Sequence, residues 1–342
     1  MTDLPADAYT DLISALPDPP SPSAACGTAD ELLSWQAEFH TVLAELRGWL
    51  PERVEPRMEI LSQTEEADHR RLTVRIEVSD LTSVVAYLLI PADLKVGERR
   101  PGVVALHGHY RHGIDSICGG RIEPDDPENN ERHAYGLHAV REGYVVLAPA
   151  LWGWPGRDGH LALIGNRDRC NTIQMASAMY GVNPVDLHIQ DAMATLDALC
   201  QRPEVDAERI GALGNSTGGR MTMWLALTDD RVRACVPSGS MNHFRERSQA
   251  LKSCGIQAPF GLLRHGDVPD LFCLIAPRPM QLQAGEHDSL ITPAHRDAMH
   301  EQVRRAYDLL GAGDQLDYIL HGGGHLLDWS LAAPFLRQHL MG

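Results

Sequence analysis

The stretch Arg209 to Leu227, RIGALGNSTGGRMTMWLAL, decides the fold. A short apolar run of β character leads into Gly214-Asn215-Ser216-Thr217-Gly218, and a helical pattern follows at once. A serine hydroxyl is a weak nucleophile near neutral pH. It reacts when a sharp turn exposes it, a base can reach it, and a helix N-terminus favours the negative charge that develops. Glycines on either side relieve the crowding such a turn creates. The competing reading is that Ser216 caps the following helix through its hydroxyl, a common role for serine.

Outward from this stretch, apolar runs bounded by Gly and Pro recur at wide intervals: PGVVALHG (101–108), YVVLAPAL (144–151), RACVPSGS (233–240), PMQLQAG (279–285) and LDYILHGGG (316–324). Helical patterns lie between them: HAYGLHAVREG, VDLHIQDAMATLDALCQ, GGRMTMWLALTDD and AHRDAMHEQVRRAYDLLG, the last closing at Gly311. This alternation predicts an α/β fold, a mostly parallel twisted sheet with helices on both faces. RLTVRIEVS and SVVAYLLIP form an antiparallel pair at the sheet edge. Upstream, 17–30 is dense in Pro, Ser and Ala and reads as irregular, with Asp30 capping an amphipathic helix from Glu31 to Leu50 that ends before Pro51. The organisation predicted is an N-terminal extension over 1–60 and one catalytic domain over 61–342. Insertions at about 110–132 and 151–184 interrupt that domain after strands, where ligands of open α/β sheets bind.

Two further groups complete a nucleophilic constellation in the chain order serine, acid, histidine. Asp288 follows the strand-like PMQLQAG in the turn GEHD, and His325 follows the glycine run after LDYILH. The predicted triad is therefore Ser216, His325 as general base and Asp288 as the acid that orients the base. Glu286 is the rival acid and His321 the rival base, though His321 ends its strand rather than lying beyond the glycines. Backbone N–H groups of Thr217, after the nucleophile, and His109, after an early strand, are the expected oxyanion-hole donors. His107, His109 and His112 also spell H-x-H-x-x-H. The string directly follows a buried strand, so the oxyanion-loop reading is preferred and no metal is assigned. Tyr110, Arg111, Trp152, Trp154 and Tyr180 are candidate pocket residues, and Arg111, His112 and Arg220 could attract a carboxylate, although Arg220 is placed on a helix turn facing solvent.

With these residues in hand, the chain resembles the α/β-hydrolase superfamily over roughly Arg71 to His339, and within it the branch of dienelactone hydrolase-like proteins and acetyl xylan esterases. VPDLFCLIAPRP (268–279) resembles the segment those proteins carry before the strand leading to their acid, and GEHDSLITP (285–293) their acid turn. The resemblance implies an α/β-hydrolase fold and hydrolytic chemistry, with Asp288 as the acid. Dienelactone hydrolase uses a cysteine where this chain has Ser216, so lactone chemistry is not carried over. The related esterases suggest Gln after the serine, where this chain has Thr217.

Composition narrows the partners. A net charge of -16, from 30 Lys+Arg against 46 Asp+Glu, and the lack of any basic run argue against nucleic acid and anionic membranes. No apolar segment approaches a membrane span, and the first 25 residues do not read as a signal peptide. Seven cysteines without C-x-x-C spacing fit a reduced, cytoplasmic setting. The expected activity is hydrolysis of small or moderately sized carboxylic esters, acyl or sugar, without a cofactor. Amide, lactone or carbon-carbon hydrolysis by the same triad and a non-catalytic small-molecule binder are the alternatives. Trp35 and Trp49 on the N-terminal helix leave a homo-oligomer contact open, with burial on its own domain the simpler reading.

Overall fold

Valines, leucines and alanines in short runs give strands buried on both faces, and each run becomes one strand of a nine-stranded sheet. The computed structural model describes residues 8–120, 132–159, 169–249 and 254–342. The strands are β1 (Met58–Glu65), β2 (His69–Glu77), β3 (Ser83–Pro91), β4 (Arg100–Leu106), β5 (Val145–Pro149), β6 (Val205–Asn215), β7 (Val232–Ser238), β8 (Met280–Gly285) and β9 (Leu316–His321). Their order is β1-β2-β3-β5-β4-β6-β7-β8-β9. From β5 to β9 every pairing is parallel, and β1, β2 and β3 add an antiparallel edge. In β4, Val104 and Leu106 enter one apolar cluster while Val103 and Ala105 enter the other, so the strand alternates between two buried faces.

The predicted antiparallel pair exists as β2 and β3, but it is not the edge. β1 covers it, and every β1 residue after Met58 is exposed, so the strand carries no burial signal in its sequence. The N-terminal helix runs Ala29–Glu45, and Thr28 rather than Asp30 caps it, in a reciprocal capping box with Glu31. It stops short of Pro51 because the next backbone groups are claimed elsewhere: Gly48 N–H donates to Asp186 Oδ2 at 2.9 Å and Trp49 N–H to Gly181 O at 3.0 Å. Leu32, Phe39 and Leu43 bury its apolar stripe in the main core. The irregular lead-in contains a short helix, Pro22–Ala25, and the chain closes with a helix, Trp329–Leu340, that the sequence reading did not anticipate.

Both insertions contain helix. The first includes Ile114–Cys118 and the second Arg169–Ala178. Parts of both, 121–131 and 160–168, lie outside the described residues. No helix among the described residues is long and apolar enough to cross a membrane.

Candidate active site

β6 delivers Ser216 to the carboxyl edge of the sheet, and the helix Thr217–Thr228 departs immediately. Ser216 has φ 62° and ψ -122°, and it is the single non-glycine residue with positive φ among the described residues. Such a conformation costs on the order of 1–3 kcal/mol and persists where its surroundings hold it. They do: Ser216 N–H donates to Ser238 O at 2.9 Å, and Arg220 N–H donates to Ser216 O at 2.9 Å. The flanking glycines are obligatory for space as well as freedom. A Cβ on Gly214 would lie 2.5 Å from Leu106 O, and one on Gly218 would lie 1.9 Å from the same atom. The Ser216 side chain makes no capping hydrogen bond, which removes the helix-cap reading of this serine.

His325 and Asp288 arrive from the loops after β9 and β8. Their side chains meet, with His325 Nδ1 2.7 Å from Asp288 Oδ2. Asp288 is buried, and its second carboxylate oxygen accepts from Leu290 N–H at 2.9 Å. With Nδ1 donating to the carboxylate, the lone pair of the neutral ring lies on Nε2, which is buried and has no hydrogen-bond partner. The two loops are stitched together: Glu286 N–H donates to His321 O at 2.9 Å and His287 N–H to Gly323 O at 3.0 Å. Gly285 has no room for a Cβ, which would stand 2.1 Å from Gly324 O.

Several residues that the sequence reading passed over hold His325 beside the nucleophile turn. Asn215 Nδ2 donates to His325 O at 3.2 Å, and Ser238 Oγ donates to Leu326 O at 2.8 Å. Buried Gln283 binds Asp328 twice, through Asp328 N–H to Oε1 at 2.9 Å and Nε2 to Asp328 O at 3.1 Å. Gly239 has φ 58°, and a Cβ there would stand 3.0 Å from His325 Cε1. The rivals are placed otherwise. Glu286 is exposed, and buried His321 accepts Gly323 N–H through Nδ1 at 3.1 Å inside its own turn.

The loop after β4 lies against the nucleophile. A Cβ on Gly108 would come within 3.2 Å of Ser216 Cβ and 2.8 Å of Asn215 O, so only glycine lets His109 follow so closely. Thr217, in the first helical turn, has no carbonyl in its own helix for its N–H to serve. The three histidines of the H-x-H-x-x-H string do not converge. His107 is fully buried and bridges two loops, with Nδ1 2.8 Å from Gly108 O and Nε2 accepting Leu151 N–H at 3.0 Å; burial pushes its pKa down to about 4. His109 turns instead to Thr217 Oγ1, 2.6 Å from Nδ1, and to two cysteines, Cys170 and Cys254, 3.3 and 3.4 Å from Nε2. Hydrogen bonding with Cys170, and then with His109, brings the Cys254 thiol down to about 5 against the opposing effect of burial.

Of the remaining candidates, Tyr110 and Trp154 stand at the site. Tyr110 OH accepts from Asn215 Nδ2 at 2.9 Å, and Trp154 packs edge-on against His109 with centroids 5.0 Å apart. Trp152 lies one step away under the Arg157 guanidinium, 4.1 Å from its ring, beside buried Asp191. Arg111 is exposed, and His112 half-buried. Tyr180 departs from the pocket expectation: it stands at the end of the insertion with 82% of its surface exposed. Arg220 is corrected as well. It is 1% exposed, bonded to Asn242 O and Oδ1 at 2.8 and 2.6 Å and stacked on Phe244, so it braces the loop after β7 and faces no solvent. A cavity of about 670 Å3 opens behind the His325 loop, lined by Gly322, Gly323, Gly324 and Trp329 among others.

The sheet order and the placement of these loops are those of the α/β-hydrolase fold. The chain matches the Dienelactone hydrolase family over residues 129–261, which include Ser216. It is 28% identical over 297 residues to "Putative hydrolase YtaP" of Bacillus subtilis (strain 168), covering 85% of this chain and 94% of that protein. Among solved structures, a putative acetyl xylan esterase from Bacteroides fragilis superposes with a TM-score of 0.77 at 16% identity, covering 97% of this chain and 95% of that one. A glucuronoyl esterase from Solibacter usitatus superposes at 0.69 and 16% identity, covering 95% and 99%.

Proposed function

We propose that the protein hydrolyses carboxylic esters of small or moderate size, acyl or sugar esters, through an acyl-enzyme on Ser216. Two observations carry the reading: a strained serine whose hydroxyl is not spent on its helix, and a His325 imidazole that is oriented by Asp288 and whose backbone is tied to the nucleophile turn through Asn215. In this reading Nε2 of His325 takes the hydroxyl proton as Ser216 attacks the ester carbonyl. Asp288 holds the tautomer and stabilises the imidazolium. The amides of Thr217 and His109 receive the oxyanion, the protonated imidazole releases the alcohol, and water activated by the same imidazole frees the acid.

The esterase names of the structural neighbours favour ester over amide bonds, and Tyr110 and Trp154 beside the nucleophile supply an aromatic wall for an acyl or sugar group. A panel of p-nitrophenyl esters of increasing acyl length and of acetylated sugars, run beside Ser216→Ala, tests the reading. Turnover that favours short or sugar-borne acyl groups and disappears in the variant supports it. Equal turnover in the variant, or no turnover of any ester in the panel, contradicts it.

A further inference from the structure

The geometry points to a metal site, built by His109, Cys170 and Cys254, that takes a divalent ion of borderline softness such as Zn2+ next to the active serine. The three donor atoms lie within 4.8 Å of one another, with His109 Nε2 3.3 Å from Cys170 Sγ and 3.4 Å from Cys254 Sγ. A tetrahedral ion with N at about 2.0–2.1 Å and S at about 2.3 Å holds its N and S ligands roughly 3.5 Å apart. The two nitrogen-to-sulfur separations already approach that value. Two thiols and an imidazole are the donor set that suits zinc.

The donors come from three separate segments that are fixed before any ion enters. His109 lies on the loop after β4, Cys170 in the first turn of Arg169–Ala178, and Cys254 before Gly255. Gly255 N–H donates to Asn171 Oδ1 at 3.1 Å, tying the two cysteine segments together. Gln257 Nε2 donates to Thr217 Oγ1 at 2.7 Å, tying both to the nucleophile turn. Metal-bound histidines characteristically donate their other ring N–H to an oxygen, and His109 Nδ1 stands 2.6 Å from Thr217 Oγ1. Trp154 packs on the ring, while His109 remains exposed and Cys254 half-buried, which leaves a path in and room for water as fourth ligand. A Cys170–Cys254 disulfide is the competing use of these sulfurs, but it gives the converging imidazole nitrogen no role. Among the described residues the cysteines form no disulfide.

Such an ion would lock the second insertion onto the loop that carries the His109 amide. The inference concerns binding and does not depend on the hydrolytic reading. It is tested on untagged, reduced, metal-free protein titrated with Co2+ and then Zn2+. The expected result is one ion per chain, an intense thiolate-to-cobalt charge-transfer band, and displacement of cobalt by zinc. Cys170→Ser and Cys254→Ser should each weaken zinc binding about tenfold or more, in the range seen when a metal site loses part of its support. Cys200→Ser and Ser216→Ala should bind like the parent. Binding by the parent no tighter than by the double Cys170→Ser, Cys254→Ser variant overturns the proposal. So does a cobalt spectrum without the thiolate band, or a Cys170–Cys254 disulfide in the isolated protein whose reduction yields no zinc uptake.

Discussion

Gly218 and the Leu106 carbonyl oxygen stand so close that a Cβ on the glycine would lie 1.9 Å from that oxygen. The contact seats the helix that starts at Thr217 directly on β4, and it brings the loop carrying His109 to Ser216. Both partners of the clash are backbone, so no side chain can yield. Gly218→Ala should therefore destabilise the fold by about 4 kcal/mol or more, in the range reserved for severe core disruption. Chemical denaturation of the variant checks this; a loss below about 1 kcal/mol contradicts the seating.

Asp288→Asn keeps the size of the acid but removes the charge that orients His325 across 2.7 Å. An amide in that place favours the wrong imidazole tautomer. Turnover of an ester substrate should drop about 10^3- to 10^4-fold while the melting temperature stays near the parent's. The corresponding amide at an exposed position, Glu286→Gln, should leave turnover within about twofold, because surface changes away from the site rarely matter.

Gln283 is buried and holds both backbone groups of Asp328. Gln283→Leu leaves Asp328 N–H without its partner, while Asp328 O keeps the amides of Leu331 and Ala332; this costs roughly 1–3 kcal/mol and frees the loop that bears His325. Steady-state kinetics should show a lower kcat with KM little changed. A variant with the parent's kcat would show that the loop is held by Asn215 and Ser238 alone.

Acidification should destabilise the protein. Burial pushes His107 to about 4 and His188 to about 3, from an ordinary 6.5, so both stay neutral in the fold while the unfolded chain takes up their protons. Their contribution is full above pH 6.5 and drains as pH falls, by about 1.4 kcal/mol per pH unit for each proton. Burial of Asp191 raises it to about 6, which works in the opposite sense below that pH and cancels about one of the two. Melting temperatures between pH 7.5 and 5 should fall, and His188→Asn should make the fall shallower. A melting temperature that climbs steadily toward pH 5 contradicts the neutral burial of these rings.

The serine turn was legible in sequence because its requirements are local: a buried strand, two glycines without room for Cβ, and a helix in immediate succession. That Asp288 and His325 meet was legible through chain order and their place after β8 and β9. What escaped depends on distance or on weak patterning. β1 has an exposed face and no alternation to read, and the closing helix carries Pro334 inside it. Arg220 reads as a surface residue until the loop after β7 supplies Asn242 and Phe244 to bury it. Cys170 and Cys254 are far apart in the chain, and neither carries a spacing motif that points to His109.

The most direct measurement is covalent labelling by a fluorophosphonate, followed by peptide mapping, because it reads the reactivity of one hydroxyl without requiring the natural substrate. The account predicts modification of Ser216 approaching one label per chain, slowed by orders of magnitude in His325→Ala and absent in Ser216→Ala. A folded protein that leaves Ser216 unlabelled, or that labels it equally fast without the imidazole, contradicts it.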